Sequence, residues 1–113
     1  MSHELRVLIV DDEKMVREGI METLPWDELH IRVVGTASNG RDALELVREL
    51  KPHIVLTDVR MPFLDGLGLI ELIRQEAPQI KTIILSAYDE FEYARKALQL
   101  GAVDYLIKPV QAE

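Results

Sequence analysis

With 113 residues, 48% of them apolar, and a formal net charge of −7, the chain has the size of one domain and can bury an ordinary core. Its lack of cysteine excludes a disulfide framework and a thiolate metal site, and its negative charge works against binding a nucleic-acid backbone, which calls for Lys and Arg. No apolar run reaches the length that crosses a membrane, residues 1–6 lack the layout of a signal peptide, and a single domain over residues 1–113 is expected.

The first element is an apolar, β-branched run at 5–10 that predicts a strand ending on Asp11-Asp12. Val16, Ile20, Thr23 and Leu24 then share one face of a helix, closed by Pro25. A second strand is predicted at 31–37. Asn39-Gly40 opens a second helix with Ala43, Leu44, Val47 and Leu50 on one side, stopped by Pro52. The third strand, 54–57, runs into Asp58, and the helix after it turns Leu69, Ile70, Ile73 and Ala77 inward before Pro78. A fourth strand at 82–86 finishes on Ser86. The fourth helix carries Ala94, Ala97 and Leu98 on one face and stops at Gly101, and a fifth strand at 104–107 leads into Lys108-Pro109.

Short β-branched strands alternating with segments of helical period are the pattern of βαβ units, which implies an α/β fold with a five-stranded parallel sheet. Right-handed crossovers put helices on both faces, and such open sheets bind ligands beyond the carboxyl ends of their strands. Asp11, Asp12, Asp58, Ser86 and Lys108 all fall at that edge. An Asp after a strand is more often a helix cap or a turn residue, and a lone Lys or Ser there means little. The first and third strands are neighbours in such a sheet, however, so three carboxylates meet, and they repel unless a cation neutralises them. An all-oxygen cluster with room for water suits Mg2+.

A carboxylate nucleophile, a divalent-cation site, a lysine and a hydroxyl around one point are the parts that phosphoryl transfer uses. Pro109 follows Lys108, and an X-Pro bond can be cis, which would aim the preceding Lys108 side chain in a fixed direction. His3, His30 and His53 each precede a strand, at the opposite end, and read as exposed surface residues. Trp26 and Phe63 read as packing residues. Gly66 and Gly68 do not make a phosphate loop, because neither G-x-G-x-x-G nor a G-K-[ST] ending occurs.

Through Val10-Asp11-Asp12-Glu13, Asp58-Val59-Arg60-Met61-Pro62, Asp65-Gly66, Leu85-Ser86-Ala87 and Lys108-Pro109 the sequence resembles the receiver domains of bacterial two-component response regulators, over nearly its whole length. The resemblance implies a flavodoxin-like, doubly wound sheet of strand order 2-1-3-4-5. It also implies that Asp58 accepts a phosphoryl group from a sensor histidine kinase and that Mg2+ is bound by Asp11, Asp12, Asp58 and the backbone carbonyl of Arg60. Lys108 would contact the phosphoryl oxygens, and Ser86 would move to meet one of them, drawing in Tyr105 as the aromatic switch residue. The domain would then be regulatory and cytoplasmic rather than an enzyme, with its fourth helix and fifth strand as the output surface.

The stretches Pro25-Trp26-Asp27-Glu28-Leu29 and Ser86-Ala87-Tyr88-Asp89-Glu90-Phe91-Glu92-Tyr93-Ala94 are similar to receivers attached to AraC-type DNA-binding regulators. Arg60 and Tyr88, two residues beyond Asp58 and Ser86, are bulky, which implies slow loss of the phosphoryl group. Two departures stand out: Ser86 replaces the commoner Thr, and His53 stands where many relatives carry Asp.

Competing readings are a Mg2+-dependent phosphohydrolase with Asp58 as nucleophile, a flavodoxin-like cofactor domain, and a degenerate receiver acting only as an interaction module. The first lacks a second acid, since Arg60 stands two residues after Asp58. The second is opposed by Asp11, Asp12 and Glu13, which would repel a phosphate. The intact Asp, Lys and Ser set argues against the third. In the family a fifth helix follows Lys108-Pro109-Val110, whereas only Gln111-Ala112-Glu113 remain, too few to form it. The expectation is a chain with its last helix missing, an apolar sheet face uncovered, and either self-association as a homodimer or reduced stability.

Overall fold

The computed structural model describes residues 4–87 and 91–108. Within them β1 (Leu5–Val10), α1 (Lys14–Thr23), β2 (Ile31–Ala37), α2 (Gly40–Leu50), β3 (Ile54–Asp58), α3 (Gly66–Glu76), β4 (Lys81–Ser86), α4 (Phe91–Leu100) and β5 (Asp104–Ile107) follow in chain order. All strand pairings are parallel, and the sheet runs β2-β1-β3-β4-β5, the order implied above. β3 and β4 each exceed their predicted runs by one residue, because Asp58 still pairs with Leu85 and Lys81 with Ile54.

The sheet is buried on both sides, which is why β1 reads as an unbroken apolar run rather than an alternating one. Val7 and Ile9 of β1, Leu56 of β3 and Leu85 of β4 pack with Ile20 of α1 on one face. On the other face Leu8, Val10 and Val55 meet Ala43, Leu44 and Val47 of α2 and Leu69 and Ile73 of α3. Ile84 continues that face against Ile70, Ala94 and Ala97 of α3 and α4. The two faces are unequally covered: Ile54, Ile83 and Leu106 on the α1 side are only half-buried, whereas Leu8, Val55 and Ile84 opposite are fully buried. Residues 109–113, on which the expectation of a missing last helix rests, lie outside the described residues.

Caps fix where α2 and α3 begin. The Asn39 side chain accepts the Asp42 N–H at 2.8 Å and Asp65 accepts the Gly68 N–H at 2.8 Å, each satisfying a donor that the first helical turn leaves over. At the far end of α2, Lys51 turns left-handed at φ 49°, and Arg6 donates to the Leu50 and Lys51 carbonyls at 2.8 and 2.9 Å.

Three packing expectations require correction. Thr23, placed with Val16, Ile20 and Leu24 on one face of α1, is exposed. Leu98, placed on the inner face of α4, is exposed; two alanines, Ala94 and Ala97, already bring that helix close to the sheet. Phe63 is 74% exposed and sits at φ 70° in the loop after β3. The left-handed turn points its ring outward, where the Arg41 guanidinium stacks 4.6 Å from the ring centre. Trp26 does pack, against the α1-side core, and its indole N–H donates to the Ile20 carbonyl at 3.2 Å.

Candidate functional site

Strand register alone brings the site together. Val10 pairs with Thr57, so Asp11 and Asp58, the next residues, are level at the carboxyl edge of the sheet. Asp58 pairs with Leu85 and Ser86 with Ile107, which leaves Ser86 and Lys108 at the same edge. The Lys108 N–H donates to the Ser86 carbonyl at 2.9 Å and so anchors the chain as it leaves β5.

From there the Lys108 side chain reaches back across β4. Its Nζ lies 3.0 Å from Asp58 Oδ1 and 3.2 Å from Asp11 Oδ2. Asp58, only 5% exposed, also accepts the N–H of Val59 on Oδ1 at 2.9 Å. Asp11 is fully buried. Its Oδ1 accepts the Glu13 N–H at 2.9 Å, and its carbonyl accepts from Arg17 Nη1 at 2.6 Å.

The electrostatics follow from this burial. Desolvation raises the Asp58 pKa to about 6, helped by the charge of Asp11 and opposed by the hydrogen bond and charge of Lys108 and by the Val59 N–H. Asp11 is likewise raised, chiefly by desolvation, against the Glu13 N–H and Lys108. Burial works to lower the Lys108 pKa, but its hydrogen bond to Asp58 and the two nearby carboxylates prevail and raise it. Two carboxylates thus share one ammonium, and each is costly as an anion in this pocket.

Asp12 and Glu13 are exposed, and together with Asp11 they bring carboxylate oxygens within 4.8 Å of one another. This donor set is all oxygen, and part of it is a buried carboxylate disfavoured as an anion. Those residues fit a hard divalent cation such as Mg2+.

Ser86 is buried, and its Oγ donates to the Ala87 carbonyl at 3.2 Å. Tyr105 is half-buried beside the core shared by α3 and α4, beyond the carboxylate cluster. Arg60 is exposed and stacks on Tyr93 of α4. Tyr88 and Pro109 lie outside the described residues. His30 and His53 are exposed at the opposite edge, as expected, but His53 is more than a surface residue: its Nδ1 accepts the Arg6 N–H at 2.9 Å.

Sequence reasoning missed three participants. Arg17, one turn into α1, grips the Asp11 carbonyl. Tyr93 carries Arg60. Gly66 approaches the phosphoacceptor candidate so closely that a Cβ there would collide with the Asp58 carbonyl oxygen, while its N–H donates to the Val59 carbonyl at 2.7 Å. The pair Asp65-Gly66 was visible as a motif, and a glycine opening a helix is the available signal for such an approach.

Fold and edge together define an α/β domain that presents two buried carboxylates beside a lysine at the carboxyl ends of a parallel sheet. The chain belongs to the response regulator receiver domain family, whose model matches residues 7–113. It is 45% identical over 105 residues to a response regulatory protein of Staphylococcus epidermidis, covering 93% of this chain and 41% of that protein. To the transcriptional regulatory protein YesN of Bacillus subtilis it is 40% identical over 104 residues, 92% of this chain and 28% of the relative. Among solved structures, the REC domain of AraT, a response regulator from Geobacillus stearothermophilus, superposes with a TM-score of 0.89 at 40% identity, covering 98% of this chain and 84% of that one. The chain thus spans less than half the length of these curated relatives.

Proposed function

We propose that Asp58 accepts a phosphoryl group from a phosphohistidine on a sensor histidine kinase, and that the change is passed to an output domain. In this transfer an Asp58 oxygen attacks phosphorus and the P–N bond breaks, its electron pair passing to the imidazole, which takes up a proton. The observation that supports the reading best is the Lys108 ammonium, within 3.0 Å of Asp58 and 3.2 Å of Asp11. It offers a fixed positive charge where phosphoryl oxygens would come to rest. With a pKa of about 6, Asp58 is mostly ionised at pH 7 and able to attack.

Asp11, Asp12 and Asp58, with the backbone carbonyl of Arg60, are the residues to hold Mg2+, which would neutralise charge on the phosphoryl oxygens. Ser86 and Tyr105 are the switch pair: Ser86 donates to a phosphoryl oxygen, and Tyr105 follows inward beside α4. The domain is regulatory and cytoplasmic in this reading. Among its relatives, YesN and HptR of Staphylococcus aureus are named transcriptional regulatory proteins, which favours a DNA-binding output, of AraC type by the resemblance above.

Incubation with Mg2+ and labelled acetyl phosphate should place one acid-stable, base-labile phosphate on the wild type and none on Asp58→Ala. Equal labelling of the two proteins would remove Asp58 from its role.

A further inference from the structure

At the amino edge of the sheet, opposite Asp58 and Lys108, a cleft of about 430 Å3 opens where α2 and α3 end and β3 and β4 begin. Val47, Pro52, Ala77 and Ile80 make its apolar wall, and Arg48, Lys51, His53 and Glu76 stand around it. Arg48 of α2 is paired with Glu76 of α3 at 2.6 Å, so these two cancel in charge and tie the helices together beside the cleft. Lys51 has no ion-pair partner among the described residues. Its left-handed backbone, at φ 49°, is pinned by its own N–H, which donates to the Val47 carbonyl at 3.0 Å, and by Arg6, which donates to its carbonyl. His53 Nδ1 accepts the Arg6 N–H, so the neutral ring carries its proton on Nε2, and that nitrogen donates. In a protein of formal net charge −7, this lining offers one uncommitted cation and one donor over an apolar wall.

We propose that this cleft binds a small amphipathic acid, a free molecule with one carboxylate on an aromatic or short aliphatic body. A concave, mostly apolar pocket of this size with a few polar groups is the usual form of a small-molecule site. The body lies against Val47, Pro52, Ala77 and Ile80, and the carboxylate meets the Lys51 ammonium and the His53 Nε2–H, a charge-assisted arrangement stronger than one between neutral groups. A cationic ligand would meet Lys51 with no carboxylate to receive it, since Glu76 is taken by Arg48. The apolar C-terminus of a peptide has the same chemistry but fits less well. β3 and β4, which begin at the cleft, are paired on both sides, so no strand edge is open to a peptide backbone. Five residues of strand, roughly 16 Å, separate His53 from Asp58. Binding here therefore calls for neither Mg2+ nor a phosphoryl group.

The test titrates the full chain, isotope-labelled and held in chelator, with phenylbutyrate while its amide resonances are followed. The amides of Lys51, His53 and Ile80 should shift saturably with a Kd of roughly a millimolar, the strength of a ligand of this size. Phenylbutanol, with the same body and no charge, should bind about tenfold more weakly. Lys51→Gly removes the ammonium and keeps the left-handed turn, which glycine takes without strain, so it should weaken phenylbutyrate roughly five- to tenfold. His53→Asp keeps an acceptor for the Arg6 N–H but puts an anion in the cleft, and it should abolish binding. Both residues are exposed, so neither change opens the core. A short acetylated peptide ending in phenylalanine should bind more weakly than phenylbutyrate, and tighter binding by the peptide overturns the assignment to a free acid. Shifts that fail to saturate, equal affinity for phenylbutanol, unchanged affinity in Lys51→Gly, or largest shifts at Asp11 and Asp58 overturn the site itself.

Discussion

Lys108 Nζ and Asp58 Oδ1 stand 3.0 Å apart in a pocket where the Lys108 side chain is 19% and the Asp58 side chain 7% exposed. A pair so enclosed is sensitive above all to the loss of the lysine, because the buried carboxylates are then left as uncompensated charge away from water. Asp11, 3.2 Å from the same ammonium, makes the arrangement asymmetric. One cation serves two anions, and the site is short of positive charge.

Lys108→Ala should therefore lower the initial rate of phosphoryl acceptance by about tenfold or more, the scale seen when a fixed charge or donor is removed from a developing phosphoryl or oxyanion centre. Lys108→Arg should retain part of the rate, since it keeps the charge but alters the reach. Rates measured at saturating acetyl phosphate and Mg2+ decide this, and wild-type labelling in Lys108→Ala would place the lysine outside the chemistry.

The raised pKa of Asp58 has a consequence for stability in the absence of metal. The folded value, about 6, lies above the ordinary 3.8, so between these pH values the folded protein holds a proton that the unfolded chain has released. This group's favourable contribution is fully present below pH 4 and is lost as pH rises through 6. Asp58→Asn removes the penalty of the buried anion and should raise stability by about 1–3 kcal/mol at pH 8. The gain should shrink toward zero by about pH 4. Thermal melts of both proteins in chelator across that range check the sign and the window.

Gly66→Ala should be destabilising by about 2–3 kcal/mol, because its Cβ meets the Asp58 backbone carbonyl rather than the movable end of a side chain. It should also slow phosphoryl acceptance by displacing Asp58. Gly19→Ala is the matched control. That glycine lies within α1 and has nothing within 4 Å of the added methyl, so the change should stabilise by roughly 0.5–1 kcal/mol through helix propensity. Denaturant midpoints for the pair should move in opposite directions.

His53→Ala should cost about 1 kcal/mol, because it deprives the Arg6 N–H of its acceptor at the start of β1. His53→Asp should recover most of the loss by offering a carboxylate oxygen from the same position. Urea titrations resolve a difference of this size, and equal midpoints for wild type and His53→Ala would show that water replaces the imidazole without penalty.

The sheet was legible because its signals are local and repeated. Apolar runs at 5–10 and 31–37 and the helical faces led by Ala43 and Leu69 recur where they were expected, and Asn39 and Asp65 cap the helices they precede. The edge residues Asp11, Asp58, Ser86 and Lys108 could be placed together for the same reason: each follows directly from a strand end. What stayed hidden depends on direction rather than position. Phe63 points outward because of one left-handed residue, Leu98 is displaced by the small alanines beside it, and the Arg60–Tyr93 stack joins residues that no periodicity relates. His53 was read by its exposure alone, which says nothing of the hydrogen bond that its ring nitrogen makes.

The site's makeup also carries a safeguard. Asp11 and Lys108, 97 residues apart in sequence, come together only when β1, β3, β4 and β5 have all paired in register, and parallel pairings of that separation are among the slowest contacts a chain closes. A nascent or partly unfolded chain therefore presents Asp58 as an ordinary aspartate with no ammonium beside it. On the proposed reading of Asp58, competence to receive a signal is in this way a certificate of completed folding, and a defective copy would be silent rather than misleading.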